Sequence, residues 1–269
     1  HAVELYARAQ SMKGIRPVGL AVHIGSQLTD LAPYRAAFER VAELVRQLRA
    51  AGHAVTHLDL GGGLGIVYER ERPPSPADYG AVVRAVIGPL GCKVAIEPGR
   101  SLVGNAGVLL TRVIYVKQGT VRRFVIVDAA MNDLARPTLY DAYHDIVTVA
   151  APPAGAVAAP VDVVGPVCET GDTFAVGRPL PPVKAGDLLA IMTAGAYGAA
   201  MASTYNARPL VAEVLVNGAR FAEVRARQDY DTMLGLDVMP PWLSDLSGRQ
   251  VGQPASATDV ARRKPARRR

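Results

Sequence analysis

The stretch KVAIEPGRSLVGN, Lys93–Asn105, decides how this chain is read. Apolar residues run into one carboxylate, Glu97, and then at once into Pro98, Gly99 and Arg100. A charge at the end of a buried strand is costly unless something pairs with it. The pattern predicts a strand that ends at Glu97 and a turn that brings Arg100 to the same end. Two upstream stretches share this form. RPVGLAVHIGSQ predicts a buried strand from Val18 to Ile24, ending in His23, Ile24, Gly25 and Ser26. THLDL predicts a short strand that runs into Gly61, Gly62 and Gly63.

Helical patterns lie between these strands. Tyr34, Phe38, Val41, Leu44, Val45 and Leu48 recur at helical spacing before Gly52, a stop signal. A second helix is predicted from near Ser75, with Asp78 three residues on, burying Tyr79, Val82, Val83, Val86 and Ile87. Strand, helix, strand, helix, strand predicts parallel strands with right-handed crossovers and both sheet faces covered. Yet three parallel strands close nothing, whereas eight close a barrel, and a three-stranded unit leaves open edges. The expectation is that this is a C-terminal portion of a longer protein, whose earlier strands complete the domain.

After Asn105 the texture changes. GVLLTRVIYVKQG, RRFVIVDAA, DIVTVA, VDVVG, DLLAIMTAG and AEVLVNGARFAEVRAR are short β-rich runs between Gly and Pro punctuation. Asn217-Gly218 between two such runs is a hairpin signal. The expected organisation is a parallel α/β domain over 1–105, a mostly antiparallel β domain over 106–246 and a disordered basic tail over 247–269.

The composition, 49% hydrophobic and 20% charged, is that of a globular protein. No apolar run is long enough to span a bilayer and no signal-peptide pattern is present, so a cytoplasmic setting is expected. Two cysteines, Cys92 and Cys168, make no disulfide framework. The net charge of +6 suggests nucleic acid, but six basic residues sit in the last nine, ARRKPARRR. Without them 24 basic residues face 24 acidic ones, so the body is neutral and no specific nucleic-acid partner is expected.

In a parallel α/β unit, ligands sit at the carboxyl ends of the strands. Three such ends here share one rim, carrying His23 and Ser26, then the three glycines, then Glu97 and Arg100. Each alone has an ordinary explanation. Three glycines make a tight turn, a histidine is often structural, Ser26 caps a helix, and Glu97 and Arg100 pair with each other. Together they suit a phosphorylated aromatic cofactor, because backbone N–H groups cradle an anion and a flat imidazole stacks on a ring. In the β domain, Arg136 and Tyr140 lie in an irregular stretch after a strand, Cys168 and Glu169 lie in a Gly/Pro-bounded loop, and Tyr197 lies between glycines.

Six motifs in order, HIGSQ, LDLGGGLGI, EPGRSLVGNAG, DAAMNDLARPTLYDAYH, GPVCETGD and GAYGAAMASTYNARP, lie within Val18 to Pro209. The chain resembles the pyridoxal-phosphate-dependent decarboxylases of the alanine-racemase fold type. The resemblance implies the later part of a (β/α)₈ barrel followed by a β domain. It implies pyridoxal 5'-phosphate as cofactor and no metal. Glu97 would pair with the pyridine nitrogen and His23 would stack on the ring. Ser26, Gly61, Gly62, Gly63, Pro98, Gly99 and Arg100 would line the phosphate, helped by Tyr197. Arg100, Arg136, Tyr140 and Tyr197 would hold the substrate. Cys168, as proton donor, and Glu169 would act in a partner subunit's site, which makes the expected assembly a homodimer with shared sites. The implied reaction is decarboxylation of meso-2,6-diaminopimelate to L-lysine, since two arginines and Glu169 suit a substrate with an amino-acid group at each end. Decarboxylases of arginine, ornithine or carboxynorspermidine, and a noncatalytic dimerisation partner, are the alternatives. The family anchors its cofactor on a lysine near the start of the barrel. Lys13, Lys93, Lys117, Lys184 and Lys264 do not stand in that context.

Overall fold

The computed structural model describes residues 1–244. The tail expected over 247–269, and the end of the β domain expected at 246, lie outside the described residues. The chain divides into two compact units, residues 1–210 and 211–269, and each is described by itself.

The first unit opens with α1 (Ala2–Ser11), which the apolar pattern did not announce. Its Tyr6 is buried and donates from its hydroxyl to the Ala54 carbonyl at 3.3 Å. Then come β1 (Gly19–Ala21), α2 (Ala32–Ala50), β2 (His57–Asp59), α3 (Pro76–Val86) and β3 (Lys93–Ala95). The three strands pair in parallel in the order β1-β2-β3. α2 buries a stripe of Tyr34, Phe38, Ala42, Val45 and Leu48, with Val41 and Leu44 half-buried beside it. α3 starts in a capping box: the Ser75 hydroxyl accepts from the Asp78 N–H at 3.1 Å, and the Asp78 carboxylate accepts from the Ser75 N–H at 3.3 Å. Tyr79, Val82 and Ile87 are buried, and Val83 and Val86 half-buried. The Tyr34, Phe38 and Tyr79 rings meet with centroids 5.1 to 6.1 Å apart.

The helices cover one face of this small sheet, over Leu58 and Leu60. The expected burial of the other face is not found. Val18 and Ala21 are exposed, the strand expected over 18–24 is regular only at Gly19–Ala21, and all of β3 is exposed, as are Ile96 and Glu97. The physical reason is that β1 and β3 are both edges, and nothing among the described residues packs on the second face. Glu97 therefore carries no burial cost in this chain, and it needs no counter-charge.

α4 (Gly99–Val103) leads into a second core. β4 (Leu109–Gln118), β5 (Arg123–Val127), α5 (Arg136–Tyr140), β6 (Ile146–Thr148), β7 (Ala159–Val164), β8 (Thr173–Leu180) and β9 (Leu188–Ile191) follow. The strands form a six-stranded sheet in the order β6-β9-β4-β5-β7-β8. Only the β5–β7 pairing is parallel, so the sheet is mostly antiparallel, as expected. Val113, Val125, Val127, Val163, Leu189 and Ile191 are its core. β8 was not expected, because Gly177 and Pro179 punctuate it; it is an edge strand, where proline is tolerated.

The two cores meet at a tight crossing. Gly195 lies so close to α4 that a Cβ there would stand 1.9 Å from the Val103 carbonyl oxygen. The Gly195 N–H donates to Gly104, and that of Ala194 to Gly107. The Asn105 amide bridges Val67 and Thr193 at 3.0 and 3.3 Å.

In the second unit β10 (Glu213–Asn217) and β11 (Arg220–Arg225) form the expected hairpin, with Gly218 at φ 60° in its turn. α6 (Tyr230–Leu234), capped by the Asp229 side chain, and α7 (Pro241–Ser244) follow. Among the described residues no helix is long and apolar enough to cross a membrane.

Candidate active site

The three strand ends converge as the sequence suggested. The Glu97 N–H donates to the Gly61 carbonyl at 2.8 Å, and the Gly62 N–H points to His23 Nδ1 at 3.3 Å. The glycines are required by this convergence itself. A Cβ on Gly62 would sit 2.1 Å from the Glu97 carbonyl oxygen, and one on Gly63, at φ 95°, would sit 2.2 Å from that of Gly25. The loop thus packs three backbones together, with the Gly61 N–H already spent on the Asp59 carboxylate at 2.9 Å. His23 and Glu97 are exposed on this rim, and the Glu97 carboxylate has no ion pair among the described residues.

Arg100 does not pair with Glu97. Its Nη2 donates to Ser26 Oγ at 3.0 Å and its Nη1 to the Tyr68 hydroxyl. The guanidinium lies over the Tyr197 ring, 4.8 Å from its centroid. Tyr197 takes φ 58°, a left-handed conformation that costs a non-glycine residue on the order of 1 kcal/mol and that clusters at functional sites. Arg100 Nε is buried without a hydrogen-bond partner. An unpaired buried donor on a cation is unusual and fits an anion.

Arg136 opens α5 and is 7% exposed. Its guanidinium carbon lies over the Tyr68 ring, 4.5 Å from the centroid, and its Nη1 donates to His144 Nε2 at 2.8 Å. Burial pulls Arg136 below its ordinary pKa, and the nearby Arg100 charge acts in the same direction. Tyr140 ends the same helix, one turn on from Arg136, and is largely exposed.

Cys168 and Glu169 are exposed, on a loop pinned by Asp172, whose carboxylate accepts from the N–H groups of Met131 and Val167 at 2.6 and 2.7 Å. Burial raises the Asp172 pKa, while those two hydrogen bonds work against the rise. Glu169 accepts from the Gly171 N–H at 3.3 Å and from the Tyr205 hydroxyl at 3.5 Å. No hydrogen bond, ion pair or ring contact joins Cys168 or Glu169 to the rim among the described residues. Both cysteines are free.

Sequence reasoning missed Tyr68 and His144, the two residues that link Arg100 to Arg136. His144 ends a quoted motif and Tyr68 follows the glycine loop, but nothing local separates either from an ordinary core aromatic.

A parallel α/β unit whose strand ends gather an imidazole, a carboxylate and an arginine, followed by a mixed sheet that adds a second arginine, defines a class. The family model described as pyridoxal-dependent decarboxylase, C-terminal sheet domain, matches residues 21–195, and the chain belongs to this family. Among its relatives, the diaminopimelate decarboxylase of Zymomonas mobilis is 52% identical over 244 residues, 90% of this chain and 57% of that protein. That of Neisseria meningitidis serogroup A is 50% identical over 87% of this chain and 57% of its own length. The crystal structure of diaminopimelate decarboxylase from Helicobacter pylori complexed with L-lysine superposes with a TM-score of 0.82 at 40% identity, covering 87% of this chain and 58% of that one. The chain spans a little over half the length of the curated relatives it matches.

Proposed function

We propose that this chain carries most of the cofactor rim and the substrate-recognising sheet of a decarboxylase that converts meso-2,6-diaminopimelate to L-lysine. The observation that carries the reading is the pair of arginines on Tyr68, with Arg100 Nε buried and unpaired. Two cations held together without an intervening acid form a receptor for carboxylate. The diaminopimelate decarboxylases named above support the choice of substrate, and the open edges of the three-stranded sheet suit completion into a (β/α)₈ barrel. The change of core between Cys92 and Leu109 fits a domain boundary near Asn105. A homodimer and a cytoplasmic setting belong to the same reading.

Pyridoxal 5'-phosphate fits the chemistry of this rim: an imidazole, an exposed unpaired carboxylate, a loop whose glycines leave no side chain in the way, and an arginine with a free buried N–H. When bound, it supplies an electron sink for the carbanion left by CO₂. Glu97 would hold the proton on the pyridine nitrogen, and His23 would cover the ring face. Ser26, Gly61, Gly62, Gly63, Pro98 and Gly99 would line the phosphate, with Tyr197. Arg100 would receive a carboxylate, and Arg136 and Tyr140 the far end of the substrate. Cys168, from the partner subunit, would deliver a proton from Sγ to the carbon that lost CO₂, and Glu169 would meet the distal ammonium.

The test is turnover by the full-length, cofactor-loaded protein, supplied in turn with meso-2,6-diaminopimelate, ornithine and arginine. CO₂ release matched by L-lysine, with no turnover of the monocarboxylates, is expected. Turnover of ornithine or arginine in preference would overturn the reading.

A further inference from the structure

Arg136 is held by two contacts of different kinds. The Tyr68 ring, whose centroid is 4.5 Å from the guanidinium carbon, seats the cation over its face. His144 Nε2, 2.8 Å from Nη1, fixes the direction of one N–H of the fork. These two contacts hold the fork from one side, and its side chain makes no other hydrogen bond or ion pair among the described residues. We propose that His144 is the positioning residue that aims Arg136 at the distal carboxylate of the substrate, with Tyr68 as the shared platform. The inference rests on the functional reading above and deepens it.

The chemistry of His144 suits this task. A guanidinium has only donors and a carbonyl only accepts, so the tautomer is determined. Nδ1–H donates to the Met192 carbonyl at 2.9 Å, and the bare Nε2 accepts from Arg136. The imidazole is fully buried, and it meets the Tyr68 ring edge to face, with centroids 5.5 Å apart and planes at 81°. A second proton on Nε2 would face an N–H of a cation. The ring is therefore neutral, in accord with a pKa lowered to about 4, chiefly by burial. A carboxylate in its place would also orient Arg136, but it would spend the charge that the substrate needs. A neutral acceptor fixes direction and leaves the full positive charge for the ligand. Tyr68 extends the arrangement, since its hydroxyl accepts from Arg100 while its face carries Arg136. The two forks share one rigid reference.

The test compares two ligands that differ by one carboxylate, L-lysine and cadaverine, on the full-length, cofactor-loaded protein by titration calorimetry. Wild type is expected to prefer L-lysine. In His144→Leu that preference should shrink by about tenfold, the scale of one charge-assisted hydrogen bond, while cadaverine affinity stays within about twofold. His144→Gln, whose Oε1 reaches the place of Nε2, should restore most of it. General loosening of the fold would weaken both ligands together. A wild type indifferent to the carboxylate would sink the functional reading itself. A wild type that prefers L-lysine, with the preference kept in His144→Leu or not restored in a folded His144→Gln, would overturn the positioning role alone. Should the leucine variant not fold, the ¹⁵N spectrum of wild-type His144 decides: a proton on Nδ1 and none on Nε2 at neutral pH is expected, and a proton on Nε2 would overturn the proposal.

Discussion

His144 shows at the scale of one residue how burial selects a protonation state. Its pKa falls from 6.5 to about 4, chiefly through burial, with the charges of Arg136, Arg178 and Arg100 adding to the fall and the Met192 carbonyl opposing it. Well above pH 6.5 the ring is neutral both folded and unfolded, and it adds no pH dependence. As pH falls from 6.5 toward 4 the unfolded chain takes up a proton that the folded chain refuses, so stability drops. Asp133 and Asp172, both raised by burial, act in the opposite sense, because folding favours their protonated forms. Urea titrations of wild type and His144→Gln, each at pH 7 and pH 5, isolate the histidine, because the two aspartates are common to both proteins. The loss of stability between the two should be smaller in His144→Gln than in wild type by about 2 kcal/mol. Equal losses would mean that His144 is free to protonate in the folded chain.

Among the elements, α3 depends most visibly on a local signal. Ser75 and Asp78 satisfy each other's backbone N–H groups, and Pro76 takes the first helical position, where its missing N–H costs nothing. Ser75→Ala should lower stability by about 1 kcal/mol, read as a shifted urea midpoint with an unchanged slope. A midpoint equal to wild type would show that burial of Tyr79, Val82 and Ile87 holds α3 without its cap. The contrast with β3 is instructive. Its apolar residues read as buried, yet the strand is an exposed edge, because burial of a strand depends on what lies beside it. The helices carry their packing stripe within themselves, so α2 and α3 match their expected faces.

The whole molecule is where the proposed dimer is tested. Cys168 and Glu169 are exposed and unattached to the rim, which suits residues that serve a neighbour's site. Take two full-length variants, one without the family's cofactor-anchoring lysine and one with Cys168→Ala. Each should be nearly inactive alone. Mixed and allowed to exchange subunits, they should recover about a quarter of wild-type activity, since about half of randomly paired dimers are mixed and each of those has one intact site. Exchange without recovery would place Cys168 in its own subunit's site or outside catalysis.

The sequence by itself determined the elements whose information is local. The stripe from Tyr34 to Leu48, the Ser75 cap, the Asn217-Gly218 turn and the three polar strand ends were all legible, because each depends on residues within a turn or two of chain. So was the set His23, Gly62, Glu97 and Arg100, since parallel strands must end on one rim. Tertiary structure alone decided the rest. Tyr68 and His144 are 76 positions apart and meet only because two separate cores lock together where Gly195 approaches Val103. It also decided that Arg100 turns from Glu97 to Ser26 and Tyr68, that β8 forms in spite of Pro179, and that β3 stays exposed. Periodicity records which face of an element is apolar; which distant side chain comes to rest against it is settled by packing, where shape and unpaired hydrogen-bonding groups choose the partner.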